Sequence, residues 1–232
     1  MAHGVEPHDH GSHRMLGARE GRWFGMTCYE IDGITPVVDP TAFVHESASV
    51  IGDVIIGPGC YIGPHASLRG DFGRIVVGEG SNVQDSCTIH AYPGADAVLD
   101  PHTHIGHGAV LHGCTVHSYA MVGIGAIVLD GAEVGADSLV GAGALVTAGM
   151  IVPPASLALG SPARIVKELD AVAVEWKRNG VAVYRQLAER SRETLRPVQP
   201  LTTVEPDRRR VSAGSETARP LHEQRAEGGQ AR

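Results

Sequence analysis

Three histidines, His90, His107 and His112, are the residues whose types and spacing best suit chemistry in this sequence. Neutral imidazoles bind zinc, and a set of three leaves one coordination position open for water or a substrate. Such an open site is typical of a catalytic metal centre. The sequence therefore predicts a catalytic metal site at these three histidines. Zn²⁺ is the first choice of ion, with Fe²⁺ or Co²⁺ as alternatives that accept the same ligands.

A strict six-residue repeat surrounds the histidines and indicates the scaffold that positions them. Valines recur without a slip at Val122, Val128, Val134, Val140, Val146 and Val152, after an earlier aliphatic series at Val50, Ile56, Ile62 and Leu68. Small residues follow five of the valines by four positions: Ala126, Ala132, Ser138, Ala144 and Ser156. This period is typical of a parallel β-helix with one inward aliphatic residue per hexad. Its resemblance to hexapeptide-repeat proteins implies a mainly β fold, a left-handed β-helix with 18 residues per coil.

Arg69, His90 and His112 occupy the same position within their hexads, which we call their phase. This shared phase places them on one face of that helix. Each directly follows an inward aliphatic residue, and the separations are 21 and 22 residues. We interpret these separations as one coil plus short insertions. The first insertion is assigned to residues 72–74 and 79–81, and the second to a projecting loop at residues 91–104. Because adjacent coils lie about 4.8 Å apart, His90 and His112 are expected to share one ion.

His107 has a different phase, two positions after Ile105. A single coil does not easily bring it to the ion shared by His90 and His112. A neighbouring subunit that presents its own His107 completes the set, and a threefold ring closes such contacts into three equivalent sites. The sequence therefore predicts a homotrimer with interfacial metal ions. The competing interpretation is that all three histidines are ordinary polar surface residues.

Four further polar residues, Arg69, Asp71, Gln84 and Asp85, are candidates for the same site. Arg69 is expected to pair with Asp71 and Asp85 through its bidentate guanidinium. Gln84 is expected to hydrogen-bond a metal-bound water. For Arg69, Asp71 and Asp85, structural ion pairing explains their presence at least as well as catalysis does.

The repeat also divides the chain. Residues 26–165 are predicted to form the β-helix domain, and residues 166–195 a C-terminal amphipathic helix that lies back along it. The predicted apolar face of that helix consists of Leu169, Val172, Ala173, Trp176, Val183 and Leu187. Residues 1–25 and 196–232 are predicted to be disordered leader and tail because of their polar composition.

Bulk composition limits the classes of function. The net charge of −7 argues against a nucleic-acid partner, and no apolar run approaches the roughly 20 residues of a membrane span. Cys60 and Cys87 fall at the small position of a hexad, so buried free thiols are expected rather than disulfides. Free thiols favour a cytoplasmic location. The expected partner is a small-molecule substrate, an acyl-CoA or CO2.

Residues 67–75, 82–90 and 105–114 resemble the γ-class carbonic anhydrases, most closely the branch that contains PaaY and CaiE. The shared motifs are Arg-x-Asp, then Gln-Asp, then three histidines. The resemblance implies a trimer whose metal is bound by His90 and His112 of one subunit and His107 of another. Active γ-class carbonic anhydrases typically carry acidic proton-shuttle residues in two neighbourhoods of the site. Those neighbourhoods contain Phe72 and Tyr92-Pro93 in this chain.

Two activities fit this site. A metal-bound water with a pKa near 7 is a general nucleophile, and PaaY-like proteins are associated with hydrolysing coenzyme A thioesters of aromatic acids. Slow hydrolysis needs no dedicated proton path. The sequence therefore favours a metal-dependent thioesterase for phenylacetyl-CoA-like substrates of phenylacetate catabolism, with γ-type carbonic anhydrase activity as the alternative. A metal-free hexapeptide acyltransferase and a catalytically silent scaffold are further alternatives.

Overall fold

A computed structural model describes residues 27–211 and 221–223. The predicted leader, residues 1–25, lies outside the described residues, as do residues 212–220 and 224–232 of the predicted tail. Of the described residues of that tail, 196–211 form neither helix nor strand, whereas 221–223 are helical. No helix within the described ranges is long and apolar enough to cross a membrane.

Twenty short strands wind into a left-handed β-helix of about seven turns with three faces. Twelve strands form one sheet that covers two faces: β1 (Thr27–Tyr29), β2 (Val37–Val38), β4 (Ser49–Ile56), β6 (Ser67–Val77), β8 (Thr88–His90), β9 (Ala97–Leu99), β11 (Val110–His112), β12 (Thr115–Val116), β14 (Ile127–Val128), β15 (Glu133–Val134), β17 (Leu145–Val146) and β18 (Ile151–Val152). Eight strands form the third face: β3 (Phe43–Val44), β5 (Tyr61–Ile62), β7 (Asn82–Val83), β10 (His104–Ile105), β13 (Met121–Val122), β16 (Leu139–Val140), β19 (Ser156–Leu159) and β20 (Arg164–Glu168).

The strand register confirms the predicted coil length. Ser49 pairs with Ser67, and Ile127 with Leu145, in each case 18 positions apart. All strand pairs are parallel except the last, β19 with β20, which is antiparallel. β4 and β6 are long because each continues around a corner, so the first half of β6 pairs with β8 and its second half with β9.

Both insertions are more local than the sequence analysis predicted. The register between β4 and β6 shifts at Asp53, which lies opposite residues 71–74. The extra residues between Arg69 and His90 therefore all lie within residues 71–74. The prediction that residues 79–81 contribute is wrong, because they form an ordinary turn. The projecting loop is also shorter than predicted. It covers residues 91–96, since residues 97–99 already form β9 on the next face.

The interior is the predicted stack of aliphatic side chains. All six valines of the repeat are fully buried, as are the earlier aliphatic residues of the series. Burying one such side chain contributes roughly 1.5–3 kcal/mol. The free thiols of Cys60 and Cys87 lie in the same core, as predicted, and burial raises their pKa values to about 12 and about 11. These thiols are therefore uncharged packing groups.

The helix α1 (Ala171–Thr194) follows the solenoid. Asp170 caps its first turn by accepting a hydrogen bond from the backbone N–H of Ala173 at 2.8 Å. The helix lies back along the third face, against β3, β5 and β7, as predicted. It begins later than predicted, because residues 164–168 extend the sheet as β20.

The buried face of α1 differs in part from the predicted one. Val172 is 46% exposed, so its assignment to the apolar face is wrong. The fully buried positions are Ala173, Lys177, Val181 and Ala188. Lys177 reaches the backbone carbonyl oxygens of Tyr119 and Asp137 at the turns of the solenoid. A lysine therefore occupies a position that periodicity alone assigns to an apolar residue.

Candidate metal centre

Arg69, His90 and His112 lie on one face, on three successive coils, as their phase predicted. Leu68 pairs with Ile89 in the ladder between β6 and β8, and His90 pairs directly with His112 between β8 and β11. Side chains alternate between the two faces of a strand. Because the aliphatic residue before each of them is buried in the core, the three polar side chains point outward together.

The rings of His90 and His112 face each other through one nitrogen each. Nδ1 of His90 lies 3.1 Å from Nε2 of His112. The outer nitrogen of each ring is bonded to a carboxylate: Nε2 of His90 to Oδ1 of Asp71 at 2.9 Å, and Nδ1 of His112 to Oδ1 of Asp130. A neutral imidazole carries one proton. When the outer nitrogens donate to the carboxylates, both facing nitrogens present lone pairs.

Two facing lone pairs suit a cation. Two nitrogens that share a tetrahedral zinc at Zn–N distances of about 2.0–2.1 Å lie about 3.3–3.4 Å apart. The observed 3.1 Å between the facing nitrogens is close to this value. Metal-binding histidines commonly donate their second N–H to a carboxylate, and both rings have such a partner. The pair therefore fits a transition-metal ion in both its spacing and its hydrogen bonding.

Asp71 links the histidine pair to Arg69. The guanidinium of Arg69 donates to Oδ2 of Asp71 at 2.5 Å while His90 bonds the other oxygen. Burial acts to raise the pKa of Asp71, but the hydrogen bonds from His90 and Arg69 outweigh it and hold this pKa below its ordinary value. The carboxylate therefore stays ionised and can accept from the imidazole.

His107 lies at another corner of the same chain, as predicted, where its Nδ1 bonds Oδ2 of Asp85 at 2.8 Å. Among the described residues of one chain, no group of three or more histidine, cysteine or carboxylate side chains is arranged to hold a metal ion. The expected pairing of Arg69 with Asp85 is not formed within the chain, since Asp85 bonds His107 instead. Completion of the site by His107 of a neighbouring subunit stays a prediction.

Gln84 is buried at the His107 corner rather than beside His90. Its amide nitrogen donates to Oδ1 of Asn82 at 3.0 Å and lies 2.7 Å from Nε2 of His104. Burial lowers the pKa of His104 to about 4, so this imidazole is neutral. The ring is covered by α1, in which Gly180 lies next to it and the ring of Tyr184 meets it edge-on with centroids 5.3 Å apart. The expected contact of Gln84 with a metal-bound water is not formed within one chain and stays a prediction.

Two aromatic rings border the histidine pair. The ring centroid of Phe72 lies 5.5 Å from that of His90, and the ring of Tyr92 stacks on His112 with centroids 6.4 Å apart. Both aromatic side chains are substantially exposed, 59% for Phe72 and 45% for Tyr92. Tyr92 belongs to the projecting loop at residues 91–96, so this loop does form one wall of the site. The two rings therefore add an apolar surface beside the charged side chains of Arg69 and Asp130.

The sequence analysis missed Asp130. It lies 18 residues after His112, one uninterrupted coil further along the chain, and this interval was the signal that pointed to it. It also missed His117, whose two nitrogens contact Asp100 at 2.9 Å and Glu133 at 3.5 Å on a different face. The hydrogen bond with Asp100, reinforced by Glu133, raises the pKa of His117. With both nitrogens engaged by carboxylates, His117 has no free nitrogen for a metal.

Comparison with known proteins agrees with this architecture. The chain is 45% identical over 186 residues to the carnitine operon protein CaiE of Salmonella agona (strain SL483), covering 80% of this chain and 94% of that protein. It is 44% identical to CaiE of Escherichia coli (strain K12), covering 80% of this chain and 95% of that protein.

Among solved structures, a Bacillus cereus protein provisionally named an acetyltransferase superposes with a TM-score of 0.72 at 32% identity, covering 73% of this chain and 98% of that one. A hexapeptide transferase family protein from Anaplasma phagocytophilum gives a TM-score of 0.67 at 37% identity, with the same coverage. No protein-family profile matches the chain.

Proposed function

The chain belongs to the hexapeptide-repeat family that contains the carnitine operon protein CaiE, and we propose that it is a metal-dependent hydrolase of acyl-coenzyme A thioesters. The observation that carries the proposal is the histidine pair. The 3.1 Å between the facing nitrogens of His90 and His112, with carboxylates on both outer nitrogens, fits two ligands of one ion.

The third ligand in this proposal is His107 of a neighbouring subunit. Two arguments support a trimer that supplies it. One chain brings together only two of the three histidines, and a closed ring of subunits completes every site. In addition, Val110 and Ile127 are adjacent in the ladder next to His112, and both are partly exposed large apolar residues. A subunit packed on this face would bury them.

When bound, such an ion would supply a Lewis-acid centre that lowers the pKa of water to about 7, which would provide a nucleophile near neutral pH. Zinc, iron(II) and cobalt(II) all suit three imidazoles. Asp71 and Asp130 hold the outer N–H groups of His90 and His112, which keeps their facing nitrogens available. Arg69 keeps Asp71 ionised. Asp85 bonds His107 in the same manner.

The remaining residues act on the substrate and the water. Hydrolysis forms a bond from the water oxygen to the thioester carbonyl carbon and breaks the C–S bond, and coenzyme A leaves as the thiol after gaining a proton. Gln84 directly precedes Asp85, the partner of His107, although its own side chain is buried against Asn82 and His104. We retain Gln84 as the side chain that orients the attacking water. Phe72 and Tyr92 provide an apolar surface for an acyl group, in keeping with phenylacetyl-CoA-like substrates.

Reversible CO2 hydration is the second candidate, and the same ligand set favours it. Rapid CO2 hydration must export a proton in each turnover. The two neighbourhoods in which active γ-class enzymes carry acidic shuttle residues hold the exposed rings of Phe72 and Tyr92 instead. Thioester hydrolysis is slower and tolerates their absence. For this reason we rank it first.

Acyl transfer is a third candidate because the Anaplasma relative in the structural comparison is named a hexapeptide transferase. Acyltransferases of this fold class use one histidine as a base and need no metal. The paired ring nitrogens argue for a metal instead. Metal content of the purified protein separates the two, and turnover separates an active centre from a silent scaffold.

The direct test is hydrolysis of phenylacetyl-CoA and a ring-hydroxylated analogue by the zinc- or cobalt-loaded protein, with free thiol as the readout. We expect turnover that His107→Ala abolishes. His117→Ala is the matched control, because His117 also pairs with an aspartate at nearly the same distance but lies on another face. Fully metallated protein that hydrates CO2 and releases no thiol would contradict the proposal.

A further inference from the structure

Asp130 is the carboxylate that holds His112, one of the two facing histidines. Its Oδ1 bonds Nδ1 of His112 while Nε2 of the same ring faces His90. We infer that Asp130 is a positioning residue for the metal: it fixes the orientation and proton position of His112 so that Nε2 is the free nitrogen. This inference rests on the metal site of the proposed function, but it concerns a residue outside the motifs that predicted that site.

The backbone around Asp130 is fixed by the neighbouring coils. Its carbonyl oxygen accepts from the N–H of Gly149 at 2.8 Å, and the N–H of Gly131 donates to the carbonyl oxygen of Gly113 at 2.7 Å. These bonds hold the corner that carries Asp130 against the corner that follows His112. The carboxylate therefore reaches the imidazole from a rigid ladder and not from a free loop.

Gly113 makes this approach possible. A Cβ at position 113 would lie 2.9 Å from Oδ1 of Asp130 and 3.1 Å from the ring of Tyr92, and the positive φ of 53° at this residue also disfavours a side chain. The absence of a side chain lets Asp130 and Tyr92 both reach His112. The carboxylate fixes one edge of the imidazole and the tyrosine ring covers one face, which leaves one ring orientation.

The pair of His117 and Asp100 shows what is specific to His112. Asp100 bonds Nδ1 of His117 at 2.9 Å, the same type of contact. The other nitrogen of His117 contacts Glu133, a carboxylate, whereas the other nitrogen of His112 faces an imidazole. Of these two pairs, the one with Asp130 leaves the second imidazole nitrogen facing another proposed metal ligand. Asp100 therefore provides a matched control on the same scaffold.

The test compares the zinc affinity of the parent protein, Asp130→Ala and Asp130→Asn by competition with a chromophoric chelator, with Asp100→Ala as the control. Loss of such an outer partner typically weakens metal binding 10–100-fold. We expect about that loss for Asp130→Ala, a smaller loss for Asp130→Asn because its amide oxygen still accepts from Nδ1, and the parent value for Asp100→Ala.

The visible absorption bands of the cobalt(II)-loaded protein give a second readout, which a purely structural role would not alter. We expect these bands to change in Asp130→Ala while the subunit stoichiometry stays that of the parent. Parent-like affinity and bands in Asp130→Ala would overturn the inference and leave the proposed function intact. Failure of the parent itself to bind zinc or cobalt would overturn both.

Discussion

Nδ1 of His90 and Nε2 of His112 face each other across 3.1 Å, although the two residues are 22 positions apart in the chain. The ladder between β8 and β11 creates this contact, and carboxylates on the outer nitrogens set the direction of both lone pairs. A bound cation would accept both lone pairs.

Metal binding should therefore stabilise the fold. A ligand at 100 times its Kd stabilises the folded state by about 2.7 kcal/mol, so added zinc should raise Tm by several degrees and EDTA should reverse the effect. Differential scanning calorimetry of the metal-free and zinc-loaded protein measures this. His112→Ala should lose the response and His117→Ala should keep it. An equal Tm with and without zinc in the parent would show that no such site forms.

The aromatic border should decide between the two hydrolytic activities. Replacing Phe72 by glutamate places a carboxylate near His90, where it can carry protons away from the site. We expect Phe72→Glu to raise the rate of CO2 hydration by the metal-loaded protein about tenfold or more, because a positioned acid–base group contributes roughly 10²–10⁴-fold. Stopped-flow measurement with a pH indicator follows the reaction.

The matched control for that substitution is Ile151→Glu. Ile151 is also a largely exposed apolar residue of the solenoid, but it lies in β18 on a different face. The Ile151→Glu substitution introduces the same charge far from the histidine pair, so it should leave the rate of CO2 hydration unchanged. Equal rates for the parent and Phe72→Glu would indicate that proton export does not limit the reaction.

Lys177 should make stability depend on pH. Burial lowers its pKa to about 8, against an ordinary value of 10.5. Between these values the unfolded chain binds more protons than the folded one, so the free energy of unfolding increases with pH, by up to about 1.4 kcal/mol per unit. Urea denaturation of the parent and Lys177→Met at pH 7, 8 and 9 isolates this contribution, because titrations common to both cancel. The parent should gain stability relative to the variant as the pH rises, and parallel curves would contradict the assignment.

The sequence predicted much of this structure because hexad spacing directly encodes which residues point inward. The valine series, the stacking of Arg69, His90 and His112, and the separate position of His107 all follow from phase alone. Asp130 was missed although its interval of 18 residues from His112 places it one coil further along the chain. Spacing alone does not show which of the 26 acidic residues directs its carboxylate at an imidazole, and the three-dimensional structure supplies that information.

Helical periodicity failed in a different way at α1. It assigned Val172 to the buried face and gave no role to Lys177, because it ranks residues by hydropathy. Lys177 is buried because the carbonyl oxygens of Tyr119 and Asp137 accept its N–H groups at the solenoid turns. Those acceptors belong to the surface against which the helix packs. They are not visible in the helix sequence.

Metal binding by mixed oligomers tests the central claim most directly, that His90 and His112 of one subunit bind the same ion as His107 of the next. Differently tagged His107→Ala and His90→Ala chains are co-expressed, mixed oligomers are isolated through both tags, and zinc per subunit is measured. Neither variant alone should retain zinc. Every threefold ring that contains both variants has one intact site out of three, because the two variants meet in the correct order at a single interface. The isolated mixed oligomers should therefore hold about one third of the zinc per subunit found in the parent. Mixed oligomers as devoid of zinc as the single variants would contradict a site shared between subunits.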